Sequence, residues 1–139
     1  MPADAAGYVL DSYALLAYLE GEAGMPRVRE VLAAALKRTT RVYVSLINLG
    51  ETLYITEREQ GLAKAHQALA ALDQLPLQVV EVSRATVLTA AHIKAHYAVS
   101  YADAFAVATA EEYGAAILTG DPEFKTVARR VAVEWLPRR

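Results

Sequence analysis

Apolar residues follow two rhythms along this 139-residue chain. Short runs rich in β-branched or aromatic side chains occur at Tyr8–Leu10, Val42–Ser45, Val79–Val82, Ala116–Thr119 and Val131–Val133. Their length and composition predict strands. Between them the apolar spacing lengthens to three and four, as in Leu15, Leu16 and Leu19 or Val28, Val31, Leu32, Ala35 and Leu36, which marks the buried face of helices. Gly21 and Gly24 punctuate the first helical region, Gly61 separates two helices, and Pro76 precedes the third strand. Strands alternating with helices predict an α/β fold with a mostly parallel sheet covered on both faces. No Gly/Ser-rich or Pro-rich linker, repeat or low-complexity tract divides the chain, so one domain over 1–139 is expected. Its ordered core should span about 7–136, leaving Leu136-Pro137-Arg138-Arg139 as a short, solvated, basic tail.

Composition narrows the classes. Hydrophobic residues make up 55% and charged residues 22%, far from the disordered corner of composition space. Surface scaling at 15.1 kDa lets about two-thirds of the chain's surface be buried, enough for a self-sufficient core. The absence of cysteine excludes disulfides, thiolate zinc sites and cysteine nucleophiles, and suits a reducing cytoplasm. The first residues show no basic segment followed by a long apolar one, and the longest apolar runs, such as Tyr13–Leu19, fall well short of the ~18 residues a bilayer requires. A cytoplasmic protein without a membrane span is the expectation.

Four carboxylates stand in apolar company. Asp11 directly follows the first strand and Asp121 the fourth, which places both at the carboxyl edge of the sheet, where open α/β sheets bind ligands. Each also reads as a helix N-cap, Asp121 with proline at the next position. Glu51 is the sole charge from Val42 to Thr56, and Asp103 the sole charge from Ala98 to Ala110. Such neighbours predict burial, and a buried ionised carboxylate costs several kcal/mol unless a cation or hydrogen bonds compensate it. Neither stretch offers a local Arg or Lys. Four carboxylates converging on one pocket would repel and hold protons unless cations neutralised them. Hard divalent ions such as Mg²⁺ or Mn²⁺ take oxygen ligands of this kind and serve phosphodiester hydrolysis.

This grouping changes the meaning of the net charge. The formal charge is −2, which by itself argues mildly against a nucleic-acid partner. Setting aside Asp11, Glu51, Asp103 and Asp121 leaves +2 on the remaining surface. Arg27, Arg29, Lys37, Arg38, Arg41, Lys125, Arg129 and Arg130 are then candidate phosphate contacts, set against the plainer reading of a solvated face.

At this point the residues resemble the PIN domain, and within it the small VapC-type toxin ribonucleases of toxin–antitoxin pairs. Val9-Leu10-Asp11-Ser12-Tyr13-Ala14-Leu15-Leu16-Ala17 is similar to the first motif of that family, and Ser45-Leu46-Ile47-Asn48-Leu49-Gly50-Glu51-Thr52 to the second. Ser100-Tyr101-Ala102-Asp103-Ala104-Phe105-Ala106-Val107-Ala108-Thr109-Ala110 resembles the third, and Leu118-Thr119-Gly120-Asp121-Pro122-Glu123-Phe124 the fourth. Each motif alone is weak, but the four in this order cover nearly the whole chain. The resemblance implies a Rossmann-like sheet in the order 3-2-1-4-5 and a Mg²⁺- or Mn²⁺-dependent endoribonuclease. It also implies a homodimer, a VapB-like antitoxin, and an RNA substrate such as tRNA or rRNA. Asp11, Glu51, Asp103 and Asp121 take the catalytic, metal-binding positions. Ser12 and Thr119 match supporting hydroxyls, Asn48 would orient Glu51 one turn away, and Glu123 would supply an outer carboxylate or favour a helix N-terminus.

Other features carry less. His92 and His96 are spaced like two helical metal ligands, but without the intervening Glu of a metalloprotease motif they read as an exposed face. Tyr13, Tyr18 and Tyr54 fall at core spacing, and packing is expected of them rather than base stacking. A phosphoaspartyl phosphatase needs a second Asp where Tyr13 stands, and a receiver domain needs a Lys that Leu118-Thr119-Gly120-Asp121 lacks. A non-catalytic PIN-fold module binding RNA or protein is the alternative from another class; erosion of the acidic set would be its mark, and the set is complete.

Overall fold

A computed structural model describes residues 5–138. In chain order the elements are β1 (Gly7–Leu10), α1 (Ser12–Glu20), α2 (Met25–Leu36), β2 (Arg41–Ser45), α3 (Leu46–Gln60), α4 (Leu62–Asp73), β3 (Gln78–Val80), α5 (Arg84–His96), α6 (Tyr101–Tyr113), β4 (Ala116–Thr119), a 3-10 helix (Pro122–Val127) and β5 (Val133–Trp135). The strands form one sheet in the order β3-β2-β1-β4-β5, and every neighbouring pair is parallel. No described helix is long and apolar enough to cross a membrane.

Alternation along the strands builds two cores. Tyr8, Leu10, Val42, Val44 and Leu118 face one side, where they pack with Leu15, Val28, Val31, Leu32 and Leu72 from α1, α2 and α4. Val9, Tyr43, Val80 and Ile117 face the other, against Ala90 and Ile93 of α5 and a run from Ala104 to Ala110 on α6. The sheet is therefore covered twice, which is why its strands are apolar at nearly every position. Helix α6 is buried almost all round because its alanines let it approach the sheet closely. Buried threonines on α3 and α6 satisfy their hydroxyls locally: Thr52, Thr56 and Thr109 each donate to the carbonyl four residues back.

Three expectations are corrected. The last strand is Val133–Trp135 rather than Val131–Val133, because register pairs Val133 with Ile117 while Val131 fills the core before the strand begins. The third strand closes at Val80, two residues earlier than its apolar run, since pairing with β2 ends at Ser45. Leu136 is not part of a solvated tail: it is buried in the core, packs against Gly24, and donates its backbone N–H to the Thr119 carbonyl at 2.8 Å. Arg139, the end of that expected tail, lies outside the described residues.

Candidate active site

Parallel strands deliver their carboxyl ends to one edge, and the acids collect there. Asp11 leaves β1 and caps α1, its Oδ1 accepting the Ala14 N–H at 2.9 Å. Asp121 leaves β4 and caps the 3-10 helix, its Oδ1 accepting the Glu123 N–H at 2.9 Å. Both acids cap as expected, and because a cap uses one carboxylate oxygen, capping is compatible with a role in the site. Between the two strand ends, the Thr119 hydroxyl donates to Asp11 Oδ2 at 2.5 Å and accepts the Asp121 N–H at 3.0 Å. One side chain therefore fixes both acids.

Asp103 comes from α6, whose N-cap Ser100 accepts the Asp103 N–H at 3.1 Å and sets the first turn against the sheet edge. Carboxylate oxygens of Asp103, Asp121 and Glu123 all lie within 4.8 Å of one another. Burial is the main force raising the Asp103 carboxyl above the ordinary carboxylate range; a hydrogen bond with Glu123 and the charges of Asp11, Asp121 and Glu123 add to it. Without a cation the buried Asp103 carboxyl is thus favoured in its protonated form. Asp11 is raised from 3.8 to about 7, chiefly by burial, with Asp121 and Glu51 adding repulsion and the bonds from Thr119 and Ala14 opposing it.

The remaining positions fall into place unevenly. Glu51 is half-buried on α3, close enough to act on Asp11, and its Oε1 is buried without a hydrogen-bond partner among the described residues. Asn48 does not orient Glu51: its amide Nδ2 donates to the Ala102 carbonyl at 3.1 Å, tying α3 to the turn that carries Asp103, and its Oδ1 is unpartnered. The pairing across helices wins because Asn48 is fully buried against α6. Ser12 opens α1 and makes no hydrogen bond to the acids among the described residues. Glu123, read from sequence as an outer carboxylate or a helix-terminus charge, is a full member of the acidic group.

Sequence reasoning missed Gly120 and its neighbour. A Cβ on Gly120 would lie 2.4 Å from the Tyr13 ring, so any larger residue there requires the ring or the Thr119–Asp121 turn to shift. Glycine beside a strand-end acid was the available signal. Tyr54, expected to pack, is 50% exposed with Arg58 over its ring at 5.1 Å. His92 and His96 stand exposed with ring centroids 4.5 Å apart. Among the candidate cations, Arg27 pairs with Glu134 and Glu30, and Arg130 with Glu111.

The donor set fits a hard divalent cation. It offers only oxygen ligands, a buried unpartnered carboxylate oxygen on Glu51, and acids that hold protons in its absence. The sequence matches the PIN domain over residues 8–130. The chain belongs to the PIN domain family. Comparison with curated protein sequences returned no match. Among solved structures, the PIN chain is similar to VapBC2 from Rickettsia felis, determined with a promoter DNA fragment (14% identity, 94% of this chain and 99% of that one covered, TM-score 0.74). It is similar to VapC20 of Mycobacterium tuberculosis, a toxin that cleaves the sarcin-ricin loop (22%, 94% and 99%, 0.74). It also resembles DNA-bound VapBC from Salmonella typhimurium (19%, 92% and 96%, 0.73). At these identities the likeness establishes the PIN fold, which spans nearly the whole of each chain.

Proposed function

We propose that this PIN domain is a Mg²⁺- or Mn²⁺-dependent endoribonuclease and the toxin of a VapBC toxin–antitoxin pair, hydrolysing RNA phosphodiester bonds. The observation that carries the reading is the convergence of Asp11, Asp103, Asp121 and Glu123 at one sheet edge, with Glu51 beside Asp11, in a setting that raises two of their pKa values. A protein gains nothing in stability from such a cluster, and perturbed acids in one edge pocket mark functional sites. Asp11, Glu51, Asp103 and Asp121, with Glu123, would hold the cation, which when bound supplies water activation and charge neutralisation at the phosphoryl group.

The chain's own residues prepare that site. Thr119 holds the Asp11 carboxylate in one orientation and the Asp121 backbone in another, so little rearrangement is needed on cation binding. Asn48 anchors the first turn of α6 and with it Asp103. Asp103, raised by burial, would give up its proton where a cation is held.

An acidic groove beside the site suits an inhibitory partner. It is lined by Tyr13, Leu16 and Ile55 with Glu20, Glu22 and Glu59 against the single cation Arg138, and encloses about 500 Å³. A VapB-like antitoxin would lay an apolar helix face here and place an Arg on the carboxylates. The active species is read as a cytoplasmic homodimer, and tRNA and rRNA as its candidate substrates; the sarcin-ricin loop activity of VapC20 supports the second. The test is brief induction of the chain followed by sequencing of RNA 5′ ends. New, discrete ends absent from an Asp103→Asn control are expected, whereas identical end profiles would overturn the nuclease reading. Co-expression with the product of an adjacent small gene is expected to abolish those ends, and replacing that partner's Arg to restore them.

A further inference from the structure

The edge of the sheet opposite the carboxylates carries a second feature. A cleft of about 470 Å³ opens there, between the end of α2 and the starts of β2 and β3, lined by Ala35, Arg38, Arg41, Tyr43 and Gln78 among others. Among the described residues its lining holds two arginines and no acid. Neither Arg38 nor Arg41 forms an ion pair among the described residues, in contrast to Arg27 and Arg130. Tyr43 is buried beneath Tyr113, with ring centroids 4.2 Å apart and planes 20° from parallel, and Tyr113 is 37% exposed.

Arg38 is held there at a cost. It is the sole non-glycine residue with positive φ among those described, at 63°. Its N–H donates to the Ala35 carbonyl at 3.0 Å and the Thr39 N–H to the Ala34 carbonyl at 3.0 Å. These two bonds make the helix-ending motif in which glycine normally occupies the left-handed position. An arginine in that conformation is strained, and no packing repays it, since Arg38 is exposed. The substitution that would relax the turn would also remove a cation from the cleft.

We infer that the Arg38–Arg41 cleft binds the phosphodiester backbone of RNA, as a subsite remote from the carboxylates. Guanidinium groups match phosphate oxygens bidentately, and the exposed Tyr113 offers a face to a base next to them. Strand β2 separates Arg41 from Ser45 by ~13 Å, so only an RNA several nucleotides long reaches both the cleft and the acidic edge. The cleft would thus select long or folded RNA over short fragments. This inference rests on the ribonuclease reading and names a positioning subsite for its substrate.

The test is fluorescence anisotropy of a labelled single-stranded RNA of about 12 nucleotides in EDTA, where cleavage is silent, with wild type and the Arg38→Gly, Arg41→Gln double variant. Affinity is expected to fall about tenfold at low salt, with the slope of log K against log salt flattened by ~1.4 for two lost phosphate contacts. Affinity for a tetranucleotide should change less than twofold. Arg38→Gly alone should raise the melting temperature by about 3 °C as the strained turn relaxes. Equal long-RNA affinity and salt slope in wild type and variant would overturn the inference, as would a melting temperature lowered by Arg38→Gly. So would loss of binding to a polyglutamate peptide with RNA binding intact, since the cleft would then recognise protein. Metal-dependent cleavage by wild type, measured alongside, separates the two failures: cleavage with an indifferent cleft removes this subsite alone, whereas a wild type that neither binds nor cleaves RNA removes both.

Discussion

Thr119 bridges the ends of β1 and β4, donating to the buried Asp11 and accepting from the Asp121 backbone. Replacing it with Val keeps the shape and removes both bonds, leaving a buried carboxylate short of a donor. Thr119→Val is expected to cost about 1–3 kcal/mol in chemical denaturation and to lower cleavage more than tenfold; unchanged stability and rate would show the bridge to be incidental. Asp11 and Asp103 titrate in the opposite sense to ordinary paired acids. Unfolded, both ionise near 4; folded and metal-free, Asp11 keeps its proton to about 7 and Asp103 is also raised, both chiefly by burial. The folded chain then binds more protons than the unfolded one, so stability is greatest below about pH 4 for these groups and falls as pH rises through 7. Melting in EDTA should therefore be lower at pH 8 than at pH 5.5. Asp103→Asn should flatten that trend, and a trend of the opposite sign would refute the burial argument.

Elements explain which residues were legible in sequence. Asp11 and Asp121 could be placed because a strand end in a parallel sheet has one destination, and Glu51 and Asp103 because a lone charge in an apolar helix needs a reason. Glu123 was ambiguous because the direction of its side chain is set by a 3-10 turn, whose geometry no periodicity encodes. Asn48 differs from expectation for a related reason: spacing along α3 names Glu51 as its neighbour, whereas packing of α3 against α6 decides the bond. Tyr54 sits at core spacing but on a face of α3 that leaves it half exposed, with Arg58 over its ring. No pattern surrounds Leu136 to mark it as core in the sequence, yet it is buried against Gly24. Leu136→Ala is expected to destabilise by about 2–4 kcal/mol in denaturant titration, against near zero for a solvated residue. Gly120→Ala should displace Tyr13 or the turn bearing Asp121, and cleavage should fall although the substitution lies outside the acidic set; a rate equal to wild type would show that the ring yields freely.

At the scale of the whole molecule, the fold spends its sheet edge on a group of acids that destabilises it, and a bound cation should offset that loss. Mg²⁺ or Mn²⁺ at ~100 times its dissociation constant is expected to stabilise the folded chain by about 2.7 kcal/mol, and Glu51→Gln to shrink that increment. An equal increment in both proteins would assign Glu51 a structural role. The two arginines at the opposite edge extend the same logic, since each end of the sheet holds charge that folding alone does not require. The most direct test of the account is the cleavage rate of a labelled RNA by purified wild type and Asp103→Asn, each with Mn²⁺ and with EDTA, beside their melting temperatures in EDTA. The account predicts cleavage only by wild type with Mn²⁺, and an Asp103→Asn protein that melts at or above the wild-type temperature because one repelling carboxyl is gone. Cleavage by Asp103→Asn at the wild-type rate, or wild-type cleavage undiminished by EDTA, would contradict it.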